Sequence, residues 1–173
     1  MKHRLLTALA LLTLAAAPLH AEDGKVEAGG LTFKFAAPWK MSDTPGMMRV
    51  ATLLATVEGA EKPVEAAFYF FPGGGGGVQA NVDRWLGQFA KTDSSKTEEM
   101  DAGGKKVTLV SATGTYNDGP PMGAKTPREN YSLLGAIVPT EDSNVFIKLT
   151  GPKDAVAKLA EGFKKMAASA YVK

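Results

Sequence analysis

Residues 64–71 read VEAAFYFF, and this short run decides the fold. Apart from Glu65, the residues on both of its alternating faces are apolar. A strand built this way has no side for water and must be covered on both. Pro72 and the five glycines Gly73–Gly77 end it. Directly afterwards Val78, Val82, Trp85, Leu86 and Phe89 recur at helical spacing, which predicts an amphipathic helix from about Val78 to Lys91. A central, doubly covered strand that leads at once into a helix with one apolar stripe is the seed of a sheet with helices packed on it.

Working outward, GLTFKFAAPW (30–39) alternates Leu31, Phe33 and Phe35 against Thr32 and Lys34, a strand with one buried face that Pro38 stops. MMRVATLLATV (47–57) is a second strand. Past the helix, KTDSSKTEEMDAGGKK (91–106) is a polar connection with room for a short strand around Thr97–Met100, and DAGG is a turn. KKVTLVSATGTY (105–116) is a long β-branched strand. NDGPPMGAKTPREN (117–130) reads as a 14-residue loop, a length that usually carries function or disorder. YSLLGAIVPT (131–140) and NVFIKLT (144–150) pair as a hairpin through EDS (141–143). Gly151 is the expected N-cap of a last helix, with Pro152 at its first position, Asp154 in its first turn, and Val156, Leu159, Ala160, Phe163 and Met166 as its apolar stripe. The order is three strands, a helix, three or four strands and a helix. Hairpin-like links predict a mostly antiparallel sheet. The expectation is a single α+β domain over residues 22–173, built as a three-layer α/β/α sandwich.

Residues 1–21 stand apart. Lys2 and Arg4, the apolar run Leu5–Ala17 and a tail ending at Ala21 have the pattern of a cleavable signal peptide. The run is shorter than the roughly 20 residues that span a bilayer. We therefore expect export to the periplasm or the extracellular space, with no integral membrane segment. Without residues 1–21 the chain carries 18 basic and 18 acidic residues, a formal net charge of zero. Net charge thus gives no support to a nucleic-acid partner.

Histidine excludes the most chemistry. His3 and His20 both lie in the leader and there is no cysteine, so the mature chain has neither residue. Ser-His-Asp and Cys-His nucleophilic catalysis are out. So are zinc sites with nitrogen or sulfur ligands, haem on His or Cys, iron–sulfur clusters and thiol redox chemistry. Carboxylate or lysine acid–base chemistry, oxygen-ligated hard metals and plain binding survive. No cofactor is implied.

The glycine run fails both nucleotide tests. Val78 and Gln79 stand where a phosphate loop needs Lys and Ser or Thr, and Val78 takes the last glycine of the dinucleotide pattern. Asn81, Arg84 and Gln88 form a polar stripe beside Trp85 on the following helix. The mature chain has 15 lysines but only three arginines, Arg49, Arg84 and Arg128, and arginine offers a planar fork that lysine lacks. Arg84 and Arg128 lie on or beside the two Gly/Pro-rich segments. The acidic stretches EDSN (141–144) and NDG (117–119) match no calcium-loop spacing and read as turns.

FYFFPGGGGGVQANVDRWLGQF (68–89), PWKMSDTPGMMRVATL (38–53) and FIKLTGP (146–152) together resemble a family of small exported bacterial proteins of uncharacterised function, marked by a Gly-rich loop, NVDRW and KLTGP. The resemblance covers nearly all of the mature chain and implies no catalytic or ligand residue. The element order is also similar to the PsbP-like sandwich, named for an extrinsic subunit of photosystem II, and that similarity implies an accessory role. The functional expectation is a non-enzymatic exported domain that binds an envelope protein or a small ligand. Its candidate surface joins Gly75, Gly76, Gly77, Asn81, Arg84 and Gln88 to Met122 and Arg128. The competing class is an enzyme that works with carboxylates, or a hard metal, on a polar envelope substrate.

Overall fold

The computed structural model describes residues 23–120 and 122–172, so the expected signal peptide lies outside the described residues. The chain is a mixed α+β fold. A hairpin of β1 (Gly24–Ala28) and β2 (Leu31–Phe35) precedes β3 (Trp39–Met41), β4 (Ala51–Ala55), β5 (Val64–Phe70) and helix α1 (Val78–Leu86). Then follow β6 (Phe89–Ala102), β7 (Lys105–Asp118), β8 (Thr126–Pro139), β9 (Asn144–Pro152) and helix α2 (Lys153–Ala168). The main sheet has seven strands in the order β3-β4-β5-β9-β8-β7-β6, and every neighbouring pair is antiparallel.

The sheet's middle strand is β9 rather than β5, which lies third. Successive side chains of a strand point to opposite sides, and β9 shows what each side does. Val145, Ile147 and Leu149 join the cluster of Val156, Leu159, Phe163 and Met166 from α2, to which β1 and β2 add Val26, Phe33 and Phe35. Phe146 joins Val82 and Trp85 of α1 in a second, smaller cluster with Phe89, Val110, Leu133 and Ile137. Trp85 meets Phe146 edge-on at 6.5 Å. Under the indole lies Gly135 of β8, where an added Cβ would stand 2.1 Å from Trp85 Cζ3. A side chain there would push α1 off the sheet.

Several expected boundaries move, each for a physical reason. The first helix ends at Leu86, five residues before Lys91. Gly87 donates its N–H to the Asp83 carbonyl at 2.8 Å, and Phe89 then enters β6 opposite Tyr116. Phe89 is buried in the helix's own cluster, but reaches it from a strand. The polar connection 91–106 is instead most of β6, a 14-residue edge strand paired with β7. The ladder is a backbone property, and an edge strand with a wetted side needs few apolar residues to join it. The expected loop 117–130 shrinks to Gly119–Lys125, because β7 runs to Asp118 and β8 begins at Thr126. Gly151 belongs to β9, Pro152 caps α2 and Lys153 starts it, while Asp154 does sit in the first turn. Of the expected strand 47–57, only Ala51–Ala55 pairs, since Met48 takes a positive φ of 60° and turns the chain. The strand at Leu31–Phe35 forms, but it pairs with β1 outside the main sheet. The short β3 alternates Trp39 and Met41 about Lys40, but three residues are too few for that pattern to announce a strand.

Candidate binding face

The expected site residues separate into two groups. Gly75, Gly76, Gly77, Asn81 and Arg84 form one local network. Asn81, on the polar stripe beside Trp85, is buried, and its amide donates to the carbonyls of Gly75 (2.8 Å) and Gly77 (3.0 Å). Arg84 Nη2 reaches the same Gly75 carbonyl at 3.4 Å. From the other side Ser143, in the β8–β9 turn, donates to the carbonyls of Phe71 (3.2 Å) and Gly74 (3.1 Å). Gly75 has a φ of +91°, and a Cβ there would meet Phe146 Cε2 at 2.8 Å, so glycine is needed both for conformation and for space. The loop is therefore a fastener that ties the start of α1 to the sheet. Gly77 at the N-cap has no side chain to accept a first-turn N–H, and the loop is held instead through its carbonyls, which accept from the Asn81 amide.

Gln88 and Arg128 belong to a different neighbourhood, beside Tyr116. Gln88 Oε1 accepts from the Tyr116 hydroxyl at 2.9 Å and also from the Lys148 ammonium. Lys148 Nζ donates in addition to the Tyr116 oxygen at 2.8 Å, which closes a triangle. The contact is with the hydroxyl end of the ring, since Nζ stands 5.3 Å from the ring centroid. Arg128 is the cross-strand partner of Tyr116 and pairs with Asp118, Nε to Oδ2, at 3.7 Å. Tyr131 stacks on Tyr116 with centroids 6.2 Å apart. Arg128 lies eleven positions along β8 from Pro139 at the hairpin end, where Ser143 holds the glycine loop. The two groups thus sit toward opposite ends of β8. Met122 is fully exposed in the 119–125 connection.

The triangle lies where α1 runs out. On the same side of the sheet Arg49, from the loop before β4, donates Nη1 to Thr52 Oγ1 (3.2 Å) and to Glu65 Oε2 (2.7 Å). Lys125 turns its ammonium onto the carbonyls of Gly119 (3.1 Å) and Pro120. Four cations, Arg49, Lys125, Arg128 and Lys148, thus stand with two carboxylates, Glu65 and Asp118. Glu65 is taken by Arg49 and Asp118 by Arg128. Among the described residues no carboxylate stands within 4.0 Å of Lys148 Nζ.

The electrostatics follow from this arrangement. Burial, then the charges of Arg49 and Lys125, push the Lys148 ammonium down to about 8, with Asp118 opposing. Burial and the Asp118 charge push the Tyr116 hydroxyl up to about 12, against a hydrogen bond with Thr150. Tyr116 therefore stays a neutral phenol that donates to Gln88 while accepting from Lys148. Burial works against the Arg49 charge more than any other single cause, but Glu65 and Tyr69 together outweigh it and raise the guanidinium's affinity for its proton. A cleft of about 160 Å³ beside Met41 and Val50 and one of about 130 Å³ between β7, β8 and α2 lie elsewhere, and neither is lined by Lys148. Among the described residues no three acidic side chains group closely enough to hold a metal ion.

Sequence reading missed Lys148, Tyr116 and Arg49. The available signal for Lys148 was its place in FIKLT, a lone cation between Ile147 and Leu149 in an otherwise apolar strand. No helix among the described residues is long and apolar enough to cross a membrane.

No protein-family model matches the chain, and no curated protein does. Among solved structures the chain is similar to cyanobacterial PsbP (CyanoP) from Synechocystis sp. PCC 6803, determined in solution, with a TM-score of 0.50 and 11% sequence identity. The match covers 91% of this chain and 96% of that one. The fold is PsbP-like. At this identity the likeness carries the fold alone and transfers no residue.

Proposed function

We propose that the chain is an exported accessory protein that binds an envelope protein or a small ligand, without chemistry of its own, on the side of the sheet that α1 leaves open. The observation that supports this most is Lys148. A half-buried ammonium held by one amide oxygen and one phenol, with two further cations acting on it, is costly in the free protein unless something negative or polar visits it. Gln88, Arg128 and Met122 belong to or border this face. Gly75–Gly77, Asn81 and Arg84 support it from behind by fixing α1. In this reading the two hydrophobic clusters are the two interfaces of a three-layer sandwich, and residues 1–21 are the leader that exports it. The enzyme reading is weaker, since Glu65 and Asp118 are each engaged by an arginine and neither is a free general base.

The test is native purification. The wild-type chain, recovered from envelope by gentle crosslinking and pull-down and weighed by native mass spectrometry, should carry a partner protein or a small molecule that the double variant Lys148→Met, Arg128→Ala loses. If both chains retain the same molecules, the face is wrong. If neither retains any, the binding role is wrong.

A further inference from the structure

We infer that the open face is an oxyanion site, and that the group it takes is a carboxylate or phosphate carried by a small ligand, with Lys148 as its central donor. The inference rests on the binding role proposed above and names the chemistry of the occupant. Three observations carry it. First, an ammonium has three donors, and the described partners of Lys148 use two of them, Gln88 Oε1 and the Tyr116 hydroxyl. Second, both partners are neutral, so the charge of Lys148 is not cancelled where it stands. Third, the surroundings are cationic. Arg49 and Lys125 both act on the amine, and Asp118, the one carboxylate that acts on it in the opposite sense, is shared with Arg128. An arginine and lysines around one position suit the oxygens of a carboxylate or phosphate.

Burial and like charges already press Lys148 toward losing its proton, and an arriving oxyanion reverses that pressure. Binding above neutral pH therefore brings a proton with it. The groups that set this balance are Tyr116 and Asp118 on β7, Lys125 after it, and Arg49 before β4. Arg128 on β8 and Glu65 on β5 enter as the partners of Asp118 and Arg49. Tyr116 remains protonated through the range, so the proton goes to Lys148.

The experiment is titration calorimetry on the mature chain at low ionic strength, with succinate and with inorganic phosphate as probes and glycerol as a neutral control. At least one of the two anions should bind with one-to-one stoichiometry, and which one it is separates a carboxylate from a phosphate ligand. Lys148→Met should weaken that binding at least ten-fold, and Lys165→Ala, which removes an exposed lysine from α2 on the other side of the sheet, should leave it unchanged. Repeating the titration at pH 8.5 in buffers of different ionisation heat should show proton uptake in the wild type and none in Lys148→Met, a readout that a merely structural lysine would not give. Thermal melts check that the variants fold. If neither anion binds at millimolar concentration, or Lys148→Met binds as the wild type does, the inference is overturned. A neutral ligand or a partner protein recovered in the purification above, together with silence in these titrations, would remove the oxyanion site while leaving the binding role standing.

Discussion

The two sides of the sheet are built from the same strands and come out differently. On one side α2 has 16 residues, about 24 Å at ~1.5 Å per residue, and the β1–β2 hairpin closes what the helix leaves. Ser169, just past α2, accepts the Lys34 backbone N–H at 2.8 Å and ties the two together, while Phe33 meets Phe68 edge-on at 5.4 Å. On the other side α1 has nine residues, about 14 Å at ~1.5 Å per residue, and no further helix or strand among the described residues continues its cover. Beyond its end the sheet is finished with Gln88, Tyr116, Lys148, Arg49 and Glu65. One side spends its residues on apolar burial, and the other gives up part of that burial to hold charge near water. Helix length thus decides which side of this sheet keeps charged groups near water.

That contrast can be broken from either side. The largest effect is expected on the sealed side. Phe163 is 1% exposed, and Phe163→Ala should cost about 3–5 kcal/mol of stability, read by urea denaturation. On the other side, Gly135→Ala drives a methyl into Trp85 and should cost up to ~3 kcal/mol. The near-ultraviolet circular dichroism of Trp85 should collapse while far-ultraviolet signal persists, because the α2 core is untouched. If the tryptophan signal survives, α1 does not depend on that close approach.

The third prediction concerns pH. Lys148 holds its proton less tightly folded, at about 8, than its ordinary value of 10.5. Between those values the unfolded chain binds more protons, so stability should rise with pH, by about 2 kcal/mol after discounting for the group's partial exposure. Tyr116 acts in the opposite sense, since its folded value near 12 lies above its ordinary 10.0, and stability should fall as pH climbs through that window. Lys148→Met should lose the rise and keep the fall. A wild-type stability curve flat from pH 8 to 10 would contradict the described environment of the amine.

Smaller effects are expected at the fastener. Asn81→Ala takes one donor from each of the Gly75 and Gly77 carbonyls and should cost about 1 kcal/mol, with faster hydrogen exchange at Gly73–Gly77 and little change elsewhere. Arg84→Ala removes a single long, exposed hydrogen bond and should cost no more than ~0.5 kcal/mol. If Arg84→Ala loosens the loop as much as Asn81→Ala does, the two residues share the load.

What was legible in the sequence follows the same division. The α2 side announced itself, because Val156, Leu159 and Phe163 repeat at helical spacing and Leu31, Phe33 and Phe35 alternate. Val82 and Trp85 also located α1. Its end was hidden by Phe89, which continues the helical stripe in sequence yet reaches the cluster from β6. Of the strand itself only a short piece around Thr97–Met100 was legible, since TDSSKTEE contains no apolar residue to alternate and owes its conformation to hydrogen bonds with β7. The open face was half legible. The scarcity of arginine picked out Arg128, and Gln88 fell on the polar stripe. The triangle was beyond reach, because Gln88 and Tyr116 lie 28 residues apart and Tyr116 and Lys148 lie 32 apart. Only the pairing of β7, β8 and β9 brings those three side chains to one point.

The long outer strand β6 has a further consequence. An open sheet exposes a row of unpaired backbone groups at each edge and invites another chain to add a strand. Here one edge is β3, only three residues long. The other is β6, interrupted by irregularities at Phe89/Lys91 and Thr92/Ser94 and studded with Lys91, Asp93, Lys96, Glu98, Glu99 and Asp101. A second copy laid against it would meet its own alternating charges across a bent ladder. Polymerisation through the rim is thereby discouraged, and the surfaces that stay open to contact are the faces of the sheet and its helices.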